Sequence, residues 1–398
     1  MEIRKLKPEE NVYRKLMGSI CFVGNPPEDG YAWLENPQDH TQDYDIAWGA
    51  FNETGQLVSG MVVYPAQLLI NDTPTKAGLI GYVTTLPEAR NSSSVRKIFE
   101  KVMINMYEDG VVYSLLYPFS YKFYRKFGYE HAYLRNRATF PISELSHYPY
   151  PDGVKAHGKD GPWADFAKVY EVFSKGKTLA MVRGEKQWQN MLNRDPHKNR
   201  EFTYIHYNTQ SQPDSYILYN YKRNNKNSNT LQIHELAWTS KAGLEAMLGF
   251  IHGMRSEYAE VSWVFPSSVD VHGIVGEAWS VEIARDTMIM NRTVNIPAAL
   301  DLLKPPSAAG SVTIKVTDKF VETNTGTYKV TWEAGSLNAE KANGTPDMEV
   351  NVETLVQLTT GYLTPAQALY RQDVVIHSKM QELTALFPIQ EHYLIEGF

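Results

Sequence analysis

One cysteine, Cys21, stands in 398 residues. A lone thiol excludes an internal disulfide framework and any cysteine metal cluster. His131, His206, His234, His252 and His392 occur singly, with no HExxH spacing, so no metal site is expected. Ser120 belongs to no GxSxG pattern, which removes a serine hydrolase of that kind. No apolar run is long enough to span a bilayer. The start, Met1-Glu2-Ile3-Arg4-Lys5-Leu6-Lys7, lacks the apolar region of a secretory signal. A basic excess is missing too: the formal net charge is −6, which argues against nucleic acid as a partner. These absences lead to the expectation of a cytoplasmic globular protein with neither a membrane nor a nucleic-acid partner.

Apolar residues make up 43% of the chain and aromatic ones 12%, enough for folded cores. The length exceeds one ordinary core and suggests two or three domains.

The most informative stretch changes period halfway along. Residues 79–85 are apolar and β-branched, which predicts a strand. Pro87 ends it. Beyond Ser93 the apolar residues fall at Val95, Ile98, Phe99, Val102 and Met103, which is helical spacing. Asn91, Ser92, Ser93 and Ser94 therefore sit where a helix begins with unpaired amides. Such a start attracts an anion, and Arg90 and Arg96 flank it. The same serines also suit ordinary capping.

Around this stretch, residues 2–4 read as a strand and 8–22 as a helix. Strands at 46–51 and 57–64 form a hairpin about Asn52 to Gly55, and strands at 66–71 and 77–85 continue a meander. A strand at 111–117, a short helix stopped by Gly128 and a strand at 133–140 follow. Residues 141–162, rich in Pro, Gly and Tyr, read as a linker. A second block has helices at 163–175, 185–193 and 240–257 among strands at 201–208, 215–222, 231–237 and 261–265. The basic run 221–226 reads as a solvated hairpin turn. The last block, from about Asn291, has strands at 311–317, 326–333 and 348–351 and helices at 296–303, 352–359, 364–369 and 378–386. Near the start, Asp29 and Trp33 combine an acid with an aromatic ring, which suits either an organic amine or an anchored surface loop.

Val83-Thr84-Thr85-Leu86-Pro87-Glu88-Ala89-Arg90 followed by Arg96 resembles the acetyl-CoA signature of the GNAT N-acetyltransferases. The resemblance implies acetyl-CoA as cosubstrate, held by Val83, Thr84, Thr85, Arg90, Asn91, Ser92, Ser93, Ser94, Val95 and Arg96. Ser93 stands where that family usually has glycine. The three-block order resembles one subfamily, the Eis (enhanced intracellular survival) acetyltransferases. It implies an α+β chain of tandem GNAT folds, with mixed and largely antiparallel sheets flanked by helices, followed by a sterol-carrier-protein-like (SCP2-like) α/β domain. The expected domains are 1–150 for acetyl-CoA binding, 151–290 as a degenerate second GNAT fold and 291–398 as the sterol-carrier-like part.

Acetyl transfer to an amine needs a polarised thioester, an acid for the leaving thiolate and a base for the amine. The backbone of 83–85 suits the first need. Nothing in the spacing singles out one of the 25 tyrosines as the acid. The run Tyr124-Arg125-Lys126-Phe127-Gly128-Tyr129 resembles the family's Tyr-x-x-Phe-Gly-Tyr segment, which implies Tyr124. The apolar ending Tyr393-Leu394-Ile395-Glu396-Gly397-Phe398 reads as a docked tail. The resemblance implies that the α-carboxylate of Phe398 is the base. Glu396, with Asp29 and Trp33, is expected to attract the acceptor, a cationic small molecule such as an aminoglycoside or a lysine side chain. A homo-oligomer, trimer or hexamer, is implied as well. The rival expectation is a non-catalytic carrier with a weakened GNAT site and an apolar ligand in the C-terminal domain.

Overall fold

The computed structural model describes residues 1–22, 30–158, 161–224 and 229–398. Packing divides them into two units, Met1–Tyr133 with Met288–Gln390 and Phe398, and Leu134–Thr287 with Glu391–Gly397.

The first unit holds strands β1 (Glu2–Lys5), β2 (Ala47–Phe51), β3 (Leu57–Ile70), β4 (Thr73–Thr85), β5 (Tyr113–Leu116) and β6 (Glu130–His131). Its helices are α1 (Asn11–Cys21), α2 (Ser94–Glu108) and α3 (Tyr121–Arg125). β1 to β4 form an antiparallel meander, and β5 runs parallel to β4 after the α2 crossover. Local chemistry sets the turns. Asn52 accepts hydrogen bonds from the amides of Thr54 and Gln56 at 3.1 and 2.9 Å, closing the β2–β3 hairpin. Asn71 and Asp72 both take positive φ, the geometry of a tight two-residue hairpin between β3 and β4. α2 buries Ile98, Phe99, Val102, Met103 and Met106 against Trp48, Ala50, Met61 and Ile80 of the sheet.

One strand arrives from far along the chain. Met290–Thr293 lies between β5 and β6, antiparallel to both. Its Arg292 is fully buried, donating to the Phe127 carbonyl and the Asp318 carboxylate. The same unit contains a five-stranded sheet in the order Ser336–Lys341, Gly326–Glu333, Gly310–Thr317, Met348–Asn351, Val375–Ile376. Tyr328, Trp332, Leu355 and Phe387 fill its core. The strand Ser336–Lys341 was not expected. Its apolar alternation is confined to Leu337 and Ala339, too short a pattern to mark this edge strand.

The second unit is built on a seven-stranded sheet that runs from Glu282–Asp286 through Arg135–Pro141, Glu260–Phe265, Asn229–Trp238, Pro213–Arg223 and Phe202–Tyr207 to Val154–Ala156. Helix Lys241–Gly253 makes the crossover between the parallel pair Asn229–Trp238 and Glu260–Phe265. The expected turn at 221–226 falls partly outside the described residues. The tail segment Glu391–His392 adds a parallel bridge to Lys177–Thr178. Beyond it, Glu396 is held at 2.7 Å by the Nε of Arg183, whose other two nitrogens donate to Glu235 at 2.8 Å each. The Arg183 guanidinium lies 3.8 Å from the Tyr170 ring centre. A buried forked cation shared by two carboxylates is hard to replace by a compact ammonium. Arg183→Lys is therefore expected to cost about 2 kcal/mol of stability, seen as an earlier urea midpoint; an unmoved midpoint contradicts that role.

Among the described residues no helix is long and apolar enough to cross a membrane.

Candidate active site

The site is built where β4 leaves β5. Pairing between β4 and β5 stops at Ile80 opposite Leu116, so residues 81–85 have no strand on that side. On the other side the register to β3 jumps, with Gly60 opposite Thr84 but Val62 opposite Gly81. β4 thus carries an extra residue, a bulge, and Tyr82 takes the left-handed conformation with φ 55°. Gly18 on α1 makes room for the Tyr82 ring, because a Cβ there would collide with it. The bulge thus lies where β4 leaves its pairing with β5, just before the turn that leads into α2.

α2 starts without caps. Ser93 has φ 60° and Asn91 φ 64°, and the Ser93 side chain makes no capping hydrogen bond. The Ser93 carbonyl accepts from Lys97, so the helix supplies no acceptor for the amides of Ser94, Val95 and Arg96. A cavity of about 850 Å³ opens onto this start, lined by Val83, Thr85, Arg90 and residues 91–96. Thr84 is the exception among the expected cofactor residues. Strand alternation turns its side chain to the opposite face, where it is buried and its hydroxyl reaches the Gly60 carbonyl at 3.4 Å. Arg96 bonds Glu100 at 3.0 Å in an exposed pair that is easily exchanged. The sequence reading missed Lys126, Phe119 and Phe123, which line the same cavity. Phe123 and Lys126 lie on either side of Tyr124 in a helical turn, a spacing that offered the signal.

Tyr124 lies on α3, whose start is capped by Ser120 accepting from the Phe123 amide at 3.3 Å. It is 3% exposed and edged by the rings of Phe99, Phe119, Phe123 and Tyr129. Its hydroxyl has no hydrogen-bond partner among the described residues. Burial pushes its pKa up, so the phenol stays protonated. The Phe398 ring lies 4.8 Å from that of Tyr117. A Cβ built on Gly81 would stand 3.5 Å from the Phe398 backbone carbonyl carbon, so Phe398 reaches the bulge. Of the expected acceptor residues, Trp33 stacks on His40 at 4.4 Å, and Asp29 lies outside the described residues. Glu396 is engaged by Arg183 as described, so its charge already has a partner inside the protein. No group of His, Cys, Asp and Glu able to hold a metal occurs among the described residues.

The corresponding helix of the second unit differs. Ser240 caps Lys241–Gly253 by accepting from the Gly243 amide at 3.2 Å. That start has its own side-chain partner, whereas α2 has none.

The comparisons agree with this geometry. Residues 2–132 match the sequence model of an acetyltransferase (GNAT) domain, residues 179–278 match another GNAT acetyltransferase model, and residues 296–395 match a sterol carrier protein domain. No curated protein matches the chain. Among solved structures, a GCN5-related N-acetyltransferase from Anabaena variabilis superposes with TM-score 0.86 at 20% identity, covering 100% of both chains. A probable N-acyltransferase from Enterococcus faecalis gives 0.83 at 18% identity over 98% of this chain and 97% of its own. Eis1 from Mycobacterium abscessus gives 0.81 at 17% identity over 100% of both chains. GNAT enzymes use an acyl-CoA and act on amine acceptors. The chain is accordingly a GNAT-type acetyltransferase with two GNAT domains and a C-terminal sterol carrier protein domain, in the Eis-like order.

Proposed function

We propose that the chain transfers an acetyl group from acetyl-CoA directly to a primary amine at the bulge of β4. The observation that carries this reading is the opened β4 edge beside the uncapped start of α2. Free amides of Ser94, Val95 and Arg96 suit a pyrophosphate, with Arg90, Arg96 and Lys126 as cationic partners. When bound, acetyl-CoA supplies the acetyl thioester. Backbone donors at 83–85 polarise its carbonyl. The attacking amine gives a proton to the Phe398 α-carboxylate, directly or through a water, and Tyr124 gives its phenolic proton to the departing sulfur. Carbon–nitrogen bond formation and carbon–sulfur cleavage then balance with no covalent enzyme intermediate.

In this reading the acetyl-CoA-binding domain expected over 1–150 and the degenerate GNAT fold expected over 151–290 meet near residue 134, since strand Arg135–Pro141 belongs to the second unit's sheet, and 291–398 form the sterol-carrier-like domain. The cavity beside α2 is the proposed cofactor seat, where Ser93 adds a Cβ that the family usually omits. Ser93→Gly relieves a left-handed residue, worth about 1–2 kcal/mol, against about 0.5–1 kcal/mol of glycine entropy. Stability should therefore rise by between zero and about 1.5 kcal/mol, while calorimetry shows tighter acetyl-CoA binding; weaker binding contradicts the pyrophosphate seat. By resemblance the working form is a cytoplasmic homo-oligomer, trimer or hexamer. A thiol-release assay with acetyl-CoA, run against aminoglycosides, lysine peptides and simple amines, tests the reaction. Absence of acetyl-CoA binding at near-millimolar concentration returns the carrier reading.

A further inference from the structure

Arg14 is a buried charge that the chemistry above leaves unused. It lies on the face of α1 that packs on the sheet and is 3% exposed, its stem beside Gly60 of β3. Its Nε donates to Asn11 at 2.7 Å, and the Asn11 amide donates in turn to the carbonyls of His40 and Gln42 at 2.6 and 2.7 Å. The head group is thus held in one orientation from behind. In front, its two terminal nitrogens have no hydrogen-bond acceptor among the described residues, and no carboxylate there pairs with it. Asp43 is a negative group near enough to be felt, but it is not in ion-pair contact.

The surroundings say what that head group faces. Its guanidinium carbon lies 4.9 Å from the ring centre of Tyr82, the bulge residue of β4. Tyr64 is near enough to bear on its charge. The Tyr64 ring edge stands 3.2 Å from the Cβ position of Gly81, which is itself 3.5 Å from the Phe398 backbone carbonyl carbon. The Tyr64 and Tyr82 hydroxyls also lack partners among the described residues. Two tyrosine hydroxyls and a cation with no ion-pair contact among the described residues therefore lie near the bulge, close to Phe398. An isolated buried charge is costly, and a guanidinium fork matches a carboxylate bidentately.

We infer that Arg14 docks a carboxylate carried by the acceptor, so that the favoured substrates are amino-acid-like amines. The Phe398 carboxylate faces the amine end and Arg14 the acid end. This assignment rests on the acetyl-transfer reading and narrows its acceptor.

The test uses the full chain with acetyl-CoA and matched amines, 4-aminobutyrate against 4-aminobutyramide and lysine against lysinamide, with an aminoglycoside as the purely cationic case. The acid of each pair should show a kcat/KM at least about tenfold higher. Arg14→Gln should abolish that advantage through KM while leaving acetyl-CoA affinity unchanged, and Arg14→Lys should keep part of it. Should Arg14→Gln not fold, the native pairs and Arg14→Lys still decide. Amides or the aminoglycoside acetylated as fast as the acids overturn the Arg14 assignment and leave the transferase reading intact. Failure to bind acetyl-CoA overturns the reading beneath it and this assignment with it.

Discussion

A chain ending at Gly397 is expected to bind acetyl-CoA as tightly as the full chain and to transfer acetyl at least about a hundredfold more slowly. The truncated chain still ends in a carboxylate, but that group moves back by about 3.5 Å, one residue of extended chain. It also loses the Phe398 ring, which lies against Tyr117 at 4.8 Å and fixes the end of the tail. Proton abstraction falls off steeply once the base is out of hydrogen-bond reach. A second variant separates position from packing: one alanine added after Phe398 keeps the ring and turns its α-carboxylate into an amide. Both variants should fail in kcat, with the cofactor dissociation constant unmoved. Full turnover in either one dismisses the terminal base.

Tyr124→Phe should lower kcat by roughly a hundredfold while changing stability by less than about 1 kcal/mol. The phenol sits among the rings of Phe99, Phe119, Phe123 and Tyr129, and its hydroxyl bonds nothing among the described residues, so phenylalanine fits the same space. Its loss should be felt at the leaving sulfur. An acetyl thioester of a more acidic thiol needs less protonation and should recover most of the rate, which no packing defect imitates. Because burial raises the Tyr124 pKa above its ordinary value of 10, native activity should show no alkaline loss from this group below about pH 9. An unchanged rate in Tyr124→Phe retires the acid.

The strand, turn and helix around Arg90 were legible because their period is local. The helix expected beyond Ser93 is α2, Ser94–Glu108. Helix Val352–Thr359 was equally readable from its own residues. The bulge at Tyr82 was not, since a positive φ at a tyrosine comes from the mismatch with β3 and the space left by Gly18. Strand partnership was also hidden. Met290–Thr293 joins β5 and β6 from more than a hundred residues away, and no local pattern names such a neighbour. At the site, Thr84 was named with Val83 and Thr85 through the resemblance, whereas strand alternation sends its side chain to the other face. Glu396 looked free in a tail, because its partner Arg183 lies far upstream in sequence.

The central claim is that acetyl-CoA lies along the unpaired end of β4 with its pyrophosphate on the start of α2. A calorimetric titration of acetyl-CoA into the full chain tests it most directly. Saturable one-to-one binding that weakens as salt rises, as expected for diphosphate on Arg90, Arg96 and free amides, is the predicted result. No heat of binding at near-millimolar acetyl-CoA would contradict the account.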